Sequence, residues 1–470
     1  MTETRTSGGG YAAPVLAGTY AAAVAVAPGW WKAALAAPAL AAIFSWWTLE
    51  RAGRWVPVFL AAALLLPPLP LPLGDSGPHP AMLVAALGLL AGVQRLAQWR
   101  APLTAENVLL AAYPLVMTAS VAFALFYSGP VIALASLARV ALFGVAVYLF
   151  FYVAYLPGGG DETSTGAARL LFWMALIAAL FACLDFYYQF PAPAGFGDQF
   201  IWLDSGVYRR AQGLFYEAST LGNFCVFFLV MVGLGLLRHP GGPRIPRTAL
   251  AAGGALLLLT LMLSYSRASV VSLLVAGATL LWVTRGRRRV ASLALGGLLL
   301  AGGAGLVMWR LSPELLGAYQ IRLGASIEHL FSATGATLSG RLESWRALAG
   351  FLMEHPGHLL FGVGYKTLPY SNFTGHAVVA DNAYLSALAE TGVLGFTALL
   401  LFCGAVLRLG WRAMRSGEER AEFYGTWIFC FWIGEMVQML SGDLLTYWRV
   451  LPVYFWVLAM AVRHTRRAVE

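Results

Sequence analysis

The sequence predicts an all-α fold: a polytopic transmembrane helix bundle of about twelve to fourteen crossings, with a helical segment outside the membrane. Three observations predict it. The 470 residues are 59% hydrophobic and 11% charged, with a mean hydropathy of +0.71, beyond the range of soluble globular domains. Apolar runs long enough to span a bilayer recur along the whole chain. Arginines crowd the short loops between those runs.

The runs lie at about 11–28, 30–48, 55–74, 80–96, 105–127, 129–154, 168–190, 214–237, 248–264, 267–284, 290–309, 383–408, 424–440 and 445–462. The first four are short and proline-rich ("LLPPLPLPLG"). Two of them therefore fit re-entrant or interfacial segments, which sets the lower count of about twelve. Basic loops at 50–54, 95–100, 238–247, 285–289, 408–415 and 463–467 all fall on one side of this segmentation. The excess of positive charge makes that side cytoplasmic, together with both termini. The opening "MTETRTSGGG" lacks the order of a signal peptide, so the first apolar segment is expected to stay attached.

A net charge of +9 and a pI near 9.5 would point to nucleic acid in a soluble protein. Here the basic residues occupy loops, where they set topology and meet lipid head groups, and no nucleic-acid partner is expected. Cys183, Cys225, Cys403 and Cys430 lie inside apolar runs without metal-ligand spacing, and read as small core residues. Three regions follow: transmembrane helices over 1–309, including an outer loop at 191–213; an outer region at 310–382; and C-terminal transmembrane helices over 383–470. The 310–382 region is too rich in Trp, Leu and Phe for a linker and predicts short helices lying over the bundle.

Four polar groups reach the outer face. In "YRRAQGLFYEASTLGNF" (208–224), Arg209, Arg210, Gln212, Glu217, Thr220 and Asn223 lead into a crossing. A capped surface loop would account for most of them, but Glu217 and Asn223 stand in the first turns of an apolar helix and need partners there. In "LSYSRASVVSLLVA" (263–276), Arg267 interrupts a long apolar stretch among Ser264, Ser266 and Ser269. An arginine at the bilayer centre costs at least roughly 2.5–3.5 kcal/mol, so a site is favoured over a snorkelling anchor. "LSGRLESWRALAGFLMEHPGHLLFGVGYKTLP" (338–369) contains a helix start at Ser339 with Arg341 behind it, and a helix stop before a glycine-bearing turn and Lys366. "GVG" alone is weak ground for a phosphate cradle. "HAVVADNAYLSALAETGVLGF" (376–396) sets Asp381 and Asn382 before a helix in capping position, with Glu390 about two turns inside it.

Together these groups bring Arg209 or Arg210, Arg267, Arg341 and Lys366 to the same face as Asp381, His376 and Glu217. That set suits a multiply charged anion with one acid or base beside it. Arginine's planar fork grips phosphate oxygens in pairs, although Lys32 and Lys366 are the only lysines among 31 basic residues, so the preference for arginine carries little weight.

The ordered motifs R-x-x-G-x-F at Arg210–Phe215, S-R at Ser266–Arg267, SGR-x-x-x-W at 339–345, HP…GVG at 355–364 and DN-x-YL-x-x-L-x-E-x-G-x-x-G at 381–395 resemble the O-antigen ligase and O-antigen polymerase superfamily. The resemblance covers roughly residues 205–396; the first 200 residues match only as generic crossings. It implies a glycosyltransferase of the GT-C type in the bacterial inner (cytoplasmic) membrane, acting on its periplasmic side without a metal ion or other cofactor. The donor it implies is a glycan on undecaprenyl pyrophosphate. Membrane lipids surround such a protein, with a chain-length regulator or other polysaccharide assembly proteins as further partners.

Carried over by position, Arg210 and Arg267 would bind the donor pyrophosphate, with Arg209, Arg341, Lys366, Asn382 and Asn223 as further substrate-binding candidates. In ligases a histidine stands where this chain has Asp381. Asp381, His376 and Glu217 are therefore all candidates for the base, and the Asp-Asn pair favours a polymerase of lipid-linked repeats over a ligase acting on lipid A core. A transporter or flippase of lipid-linked sugars would put ionisable residues near the midplane; Arg139, Glu390 and Glu435 fit, but they are few.

Overall fold

Helix follows helix along this chain because lipid offers the backbone no partners, so each apolar segment must bond to itself. The computed structural model describes residues 19–20, 22–23, 25–69, 78–158, 166–192, 196–203, 206–284, 341–375 and 377–468, with isolated positions between 296 and 317. The crossing expected at 290–309, most of the one at 11–28, much of 310–340 and His376 lie outside the described residues.

The first half comprises α1 (Trp30–Glu50), α2 (Trp55–Leu65), α3 (Pro80–Gln94), α4 (Ala105–Ser128), α5 (Pro130–Tyr155) and α6 (Ala167–Tyr188). A two-stranded antiparallel hairpin follows, β1 (Phe200–Leu203) with β2 (Gly206–Arg209), pairing Phe200 with Arg209. Next come α7 (Ala218–Leu236), α8 (Arg247–Leu263) and α9 (Arg267–Thr284), then α10 (Arg341–Glu354) and the short α11 (Pro356–Phe361). The chain closes with α12 (Ala383–Met414), α13 (Glu419–Gln438) and α14 (Leu451–Arg467). Among the described residues, seven helices are long and apolar enough to cross a membrane: α1, α4, α5, α6, α7, α9 and α12. The protein is thus an all-α, multi-pass membrane protein.

Two boundaries differ from expectation for local reasons. The run at 55–74 forms a helix only to Leu65, since Pro67 and Pro68 end it. Its last carbonyls are taken by Arg449, whose Nε donates to Ala63 O and Nη2 to Leu66 O, each at 2.8 Å, and by His79 at 2.9 Å from Leu66 O. The run at 445–462 becomes helical only at Leu451, and its first residues form the turn that carries Asp443 and Tyr447.

Helices α7, α13 and α14 form the centre. Every residue of α14 from Leu451 to His464 is buried, as expected of a helix apolar on all sides. Helix α1 has only 7% of its apolar window buried and stays at the periphery. Buried Glu106 receives Arg408 at 2.8 Å and Arg412 at 2.7 Å, which ties the start of α4 to the end of α12.

Helix α12 is broken at Gly392, whose φ of 69° and ψ of −172° leave the helical region. The break frees two carbonyls: Val363 N donates to Ala389 O at 3.1 Å and Gly364 N to Glu390 O at 2.9 Å. A Cβ on Gly392 would strike the carbonyl of Leu360. The "GVG" turn is therefore a backbone dock for α12 and not a phosphate cradle. Beyond it the loop enters the bundle between α4 and α5, where Tyr365 N donates to Ser120 Oγ at 3.2 Å and Tyr365 O accepts from Ser136 Oγ at 2.6 Å. This part of the region expected to lie over the bundle instead sits inside it.

Candidate active site

The site is assembled by sewing β2 to the turn between α8 and α9. Just past β2, Arg210 N donates to Gln199 O at 2.8 Å and Ala211 N to Leu263 O at 2.9 Å. The Arg210 side chain continues the seam, with Nε donating to Ser264 O at 2.9 Å. Tyr265 turns the chain with a φ of 51° and is fully buried against Ile201 and Met262. Arg267 then opens α9.

A chain of side chains supports this turn from within the bundle. Ser266 Oγ and Ser269 Oγ stand 2.8 Å apart, and Ser269 Oγ accepts from Gln438 Nε2 at 3.0 Å. Gln438 Oε1 accepts from Asn223 Nδ2 at 3.2 Å; the same amide donates to Glu435, and Asn223 Oδ1 accepts from the Tyr454 hydroxyl at 2.7 Å. Polar groups at this depth need such partners, because none of them can turn to water.

The other wall comes from α10 and the start of α12. Asn382 caps α12, its Oδ1 accepting from Tyr384 N and Leu385 N at 3.0 Å each. Asp381, at a φ of 46°, pairs with Arg341 Nε at 3.1 Å, and Trp345 Nε1 donates to Ala380 O at 2.6 Å. Glu217 sits at the N-cap position of α7, where its carboxylate accepts from Thr220 Oγ1 at 2.7 Å and shares a cleft with Tyr447.

The charges of these groups act on one another. Burial disfavours the Arg210 charge; Tyr447 and Glu217 support it, while Arg267 and Arg341 oppose it. Burial lifts the Glu217 carboxyl above its ordinary value, against the pull of Thr220, Tyr447 and Arg210, and Asp381 adds to the lift. Burial and the nearby carboxylates hold the Tyr447 hydroxyl well above the usual tyrosine range, so it stays a donor. Arg210, Arg267 and Arg341 thus gather beside Glu217 and Asp381, a set of guanidinium donors suited to an anion's oxygens with carboxylates next to them. A cleft of about 120 Å³ opens at Glu217, Thr220, Tyr447 and Trp448.

Of the residues the sequence nominates, Arg210, Arg267, Arg341, Glu217 and Asp381 come together. Arg209 turns away to Asp198 at 2.9 Å and Asp185 at 3.5 Å. Lys366 pairs with Asp443, Asn382 is occupied as a cap, and Asn223 lies in the network beneath Arg267. Tyr447 and Asp443 are additions from the structure. Their signal was "SGDLLTYWR" at 441–449, a polar and aromatic run between two crossings.

Fold and site define a multi-pass membrane protein with cations and carboxylates gathered at one end of its bundle. Residues 252–400 match the family described as O-Antigen ligase, which supports a likeness to the O-antigen ligase and polymerase superfamily. The match supports a membrane glycosyl-transfer function in polysaccharide assembly. It covers Arg267, Arg341 and Asp381, while Arg210, Glu217 and Tyr447 lie outside it and join the site through the fold. No curated protein matches the chain.

Proposed function

We propose that this protein is a glycosyltransferase that takes glycan from an undecaprenyl pyrophosphate donor and joins it to a sugar hydroxyl, polymerising lipid-linked oligosaccharide repeats of a surface polysaccharide. The observation that carries the reading is the seam of Ala211 and Arg210 to Leu263 and Ser264, which brings Arg210 to Arg267 and Arg341 although the three come from distant stretches of chain. Guanidinium groups held in partly buried positions stabilise a leaving diphosphate more than they would in open water, and they need little reorganisation as charge develops.

Glu217 is the group best suited to take the acceptor proton. Its raised pKa matches a base to neutral pH better than an ordinary carboxylate would. As the acceptor oxygen attacks the anomeric carbon, the bond from that carbon to the phosphate oxygen breaks, the proton passes to Glu217, and the diphosphate leaves onto the arginines. Attack opposite the leaving group inverts the anomeric configuration. Asp381 holds Arg341 toward the diphosphate. The arginine-rich loops set the other end of the bundle in the cytoplasm with both termini, so the site faces the periplasm of the inner membrane.

The test is product formation. Purified protein given undecaprenyl pyrophosphoryl oligosaccharide should release undecaprenyl pyrophosphate and lengthen the glycan. Release only when a lipid A core acceptor is added would favour the ligase named in the family description. Movement across liposomes without release would favour a transporter and overturn the reading.

A further inference from the structure

A second hollow, of about 300 Å³, lies beside the first and is walled by Arg139, Tyr365, Lys366, Tyr370, Thr446 and Trp448. Its size falls at the lower end of small-ligand pockets. Thr446 and Trp448 line both hollows, so the turn before α14 stands between this space and the cleft of Glu217.

The construction of the wall says what it would hold. Arg139 stands about two and a half turns into α5, a costly depth for a cation. Its Nη2 donates to the Tyr370 hydroxyl at 2.6 Å, its guanidinium lies 4.7 Å from the centre of that ring, and its Nη1 reaches Lys366 O at 3.4 Å. Lys366 in turn holds Asp443. Burial works against the Lys366 charge, but Asp443 and Glu390 outweigh it. Both cations of this wall are thus already engaged by their neighbours, Arg139 by Tyr370 and the Lys366 carbonyl and Lys366 by Asp443. Polar groups held by one another beside Tyr365, Tyr370 and Trp448 match a ring that has an apolar C–H face and a rim of hydroxyls.

We infer that the hollow between Arg139 and Trp448 is a carbohydrate subsite that seats an uncharged sugar of the acceptor glycan next to Glu217. The inference rests on the glycosyl-transfer reading above for the word acceptor, while the affinity for sugar follows from the wall alone. A sugar placed there would present its hydroxyl across the Thr446–Trp448 turn to the cleft that contains the base.

Full-length protein in nanodiscs tests this with the host's own oligosaccharide repeat, freed from its lipid, as the probe. Saturation-transfer NMR and equilibrium dialysis report binding, and steady-state kinetics report the acceptor KM and kcat. Leu142→Trp, which fills the hollow from α5, and Trp448→Ala should each abolish repeat binding and raise acceptor KM at least tenfold. Binding of undecaprenyl pyrophosphate to the Leu142→Trp protein should stay at the native level, and Trp448→Phe should restore most of the loss caused by Trp448→Ala.

Native repeat binding and KM in both filled and truncated forms would overturn the subsite while leaving transferase activity standing. So would variants that lose undecaprenyl pyrophosphate binding instead, which would mark an anion site. Repeat binding that responds to these variants, in a protein that makes no product, would sink the transferase reading and keep the subsite.

Discussion

Arg267 and Glu217 carry the sharpest expectations for single residues. Arg267→Lys keeps the charge but loses the planar fork, so release of undecaprenyl pyrophosphate should fall roughly 10²-fold, the range seen when one preorganised donor is removed. Turnover within a factor of two of native would reduce Arg267 to a membrane anchor. Glu217→Gln should cut kcat by roughly 10²–10⁴-fold as a lost general base. Asp381→Asn, which suits the left-handed φ of 46°, should cost less and act through a loosened Arg341; the reverse order would move the base to Asp381. The pH profile follows from the sign of the Glu217 shift. The base works when deprotonated, and its pKa lies above the ordinary 4.5, so activity should fall on acidification at a higher pH than an exposed glutamate would set. The same shift means that the folded state holds this proton more tightly. Its contribution to stability is present at low pH and lost as pH rises through the raised pKa. Arg267 and Glu217 were legible in the sequence because an ionisable group in an apolar run stands out, and Arg210 and Asp381 because they lie in polar motifs that lead into crossings. Tyr447 was not, because one more aromatic among 27 Phe, 19 Tyr and 16 Trp carries no mark until it is found lining the same cleft as Glu217.

At the level of the element, the break in α12 is the least forgiving piece of backbone. Gly392→Ala would place a Cβ against the Leu360 carbonyl at a φ that L residues avoid, with a cost of about 1–3 kcal/mol. Thermal unfolding in detergent should show a lowered midpoint together with faster proteolysis of the 362–375 loop; an unchanged midpoint would mean that α11 yields easily. Helix existence was readable from length and apolarity, as α4 to α9 illustrate. The break was not, because "AETGVLGF" reads as continuous helix, and its hydrogen-bond partners lie upstream in Val363 and Gly364. The short α2 was partly legible in its prolines, but Arg449, which closes it, stands near the opposite end of the chain.

For the molecule as a whole, topology is the testable quantity. With the native cysteines buried or partly buried, Asn372→Cys should react with an impermeant maleimide once only the outer membrane is opened. Arg244→Cys should react only after the inner membrane is lysed. Labelling in the opposite order would invert the bundle and place the site in the cytoplasm. The arginine loops supply the expected orientation that this labelling tests, whereas the path of the 362–370 loop into the bundle was not readable, since it depends on Ser120 and Ser136, which are unremarkable in their own helices. Tyr454, Asn223, Gln438 and Ser269 are joined hand to hand within the bundle, and each depends on the next for its hydrogen bond. Divergence therefore cannot exchange them singly: a lineage that loses one strands its neighbour. Across descendants of a common ancestor these four positions should mutate as a set, while the outward residues of α1 drift freely.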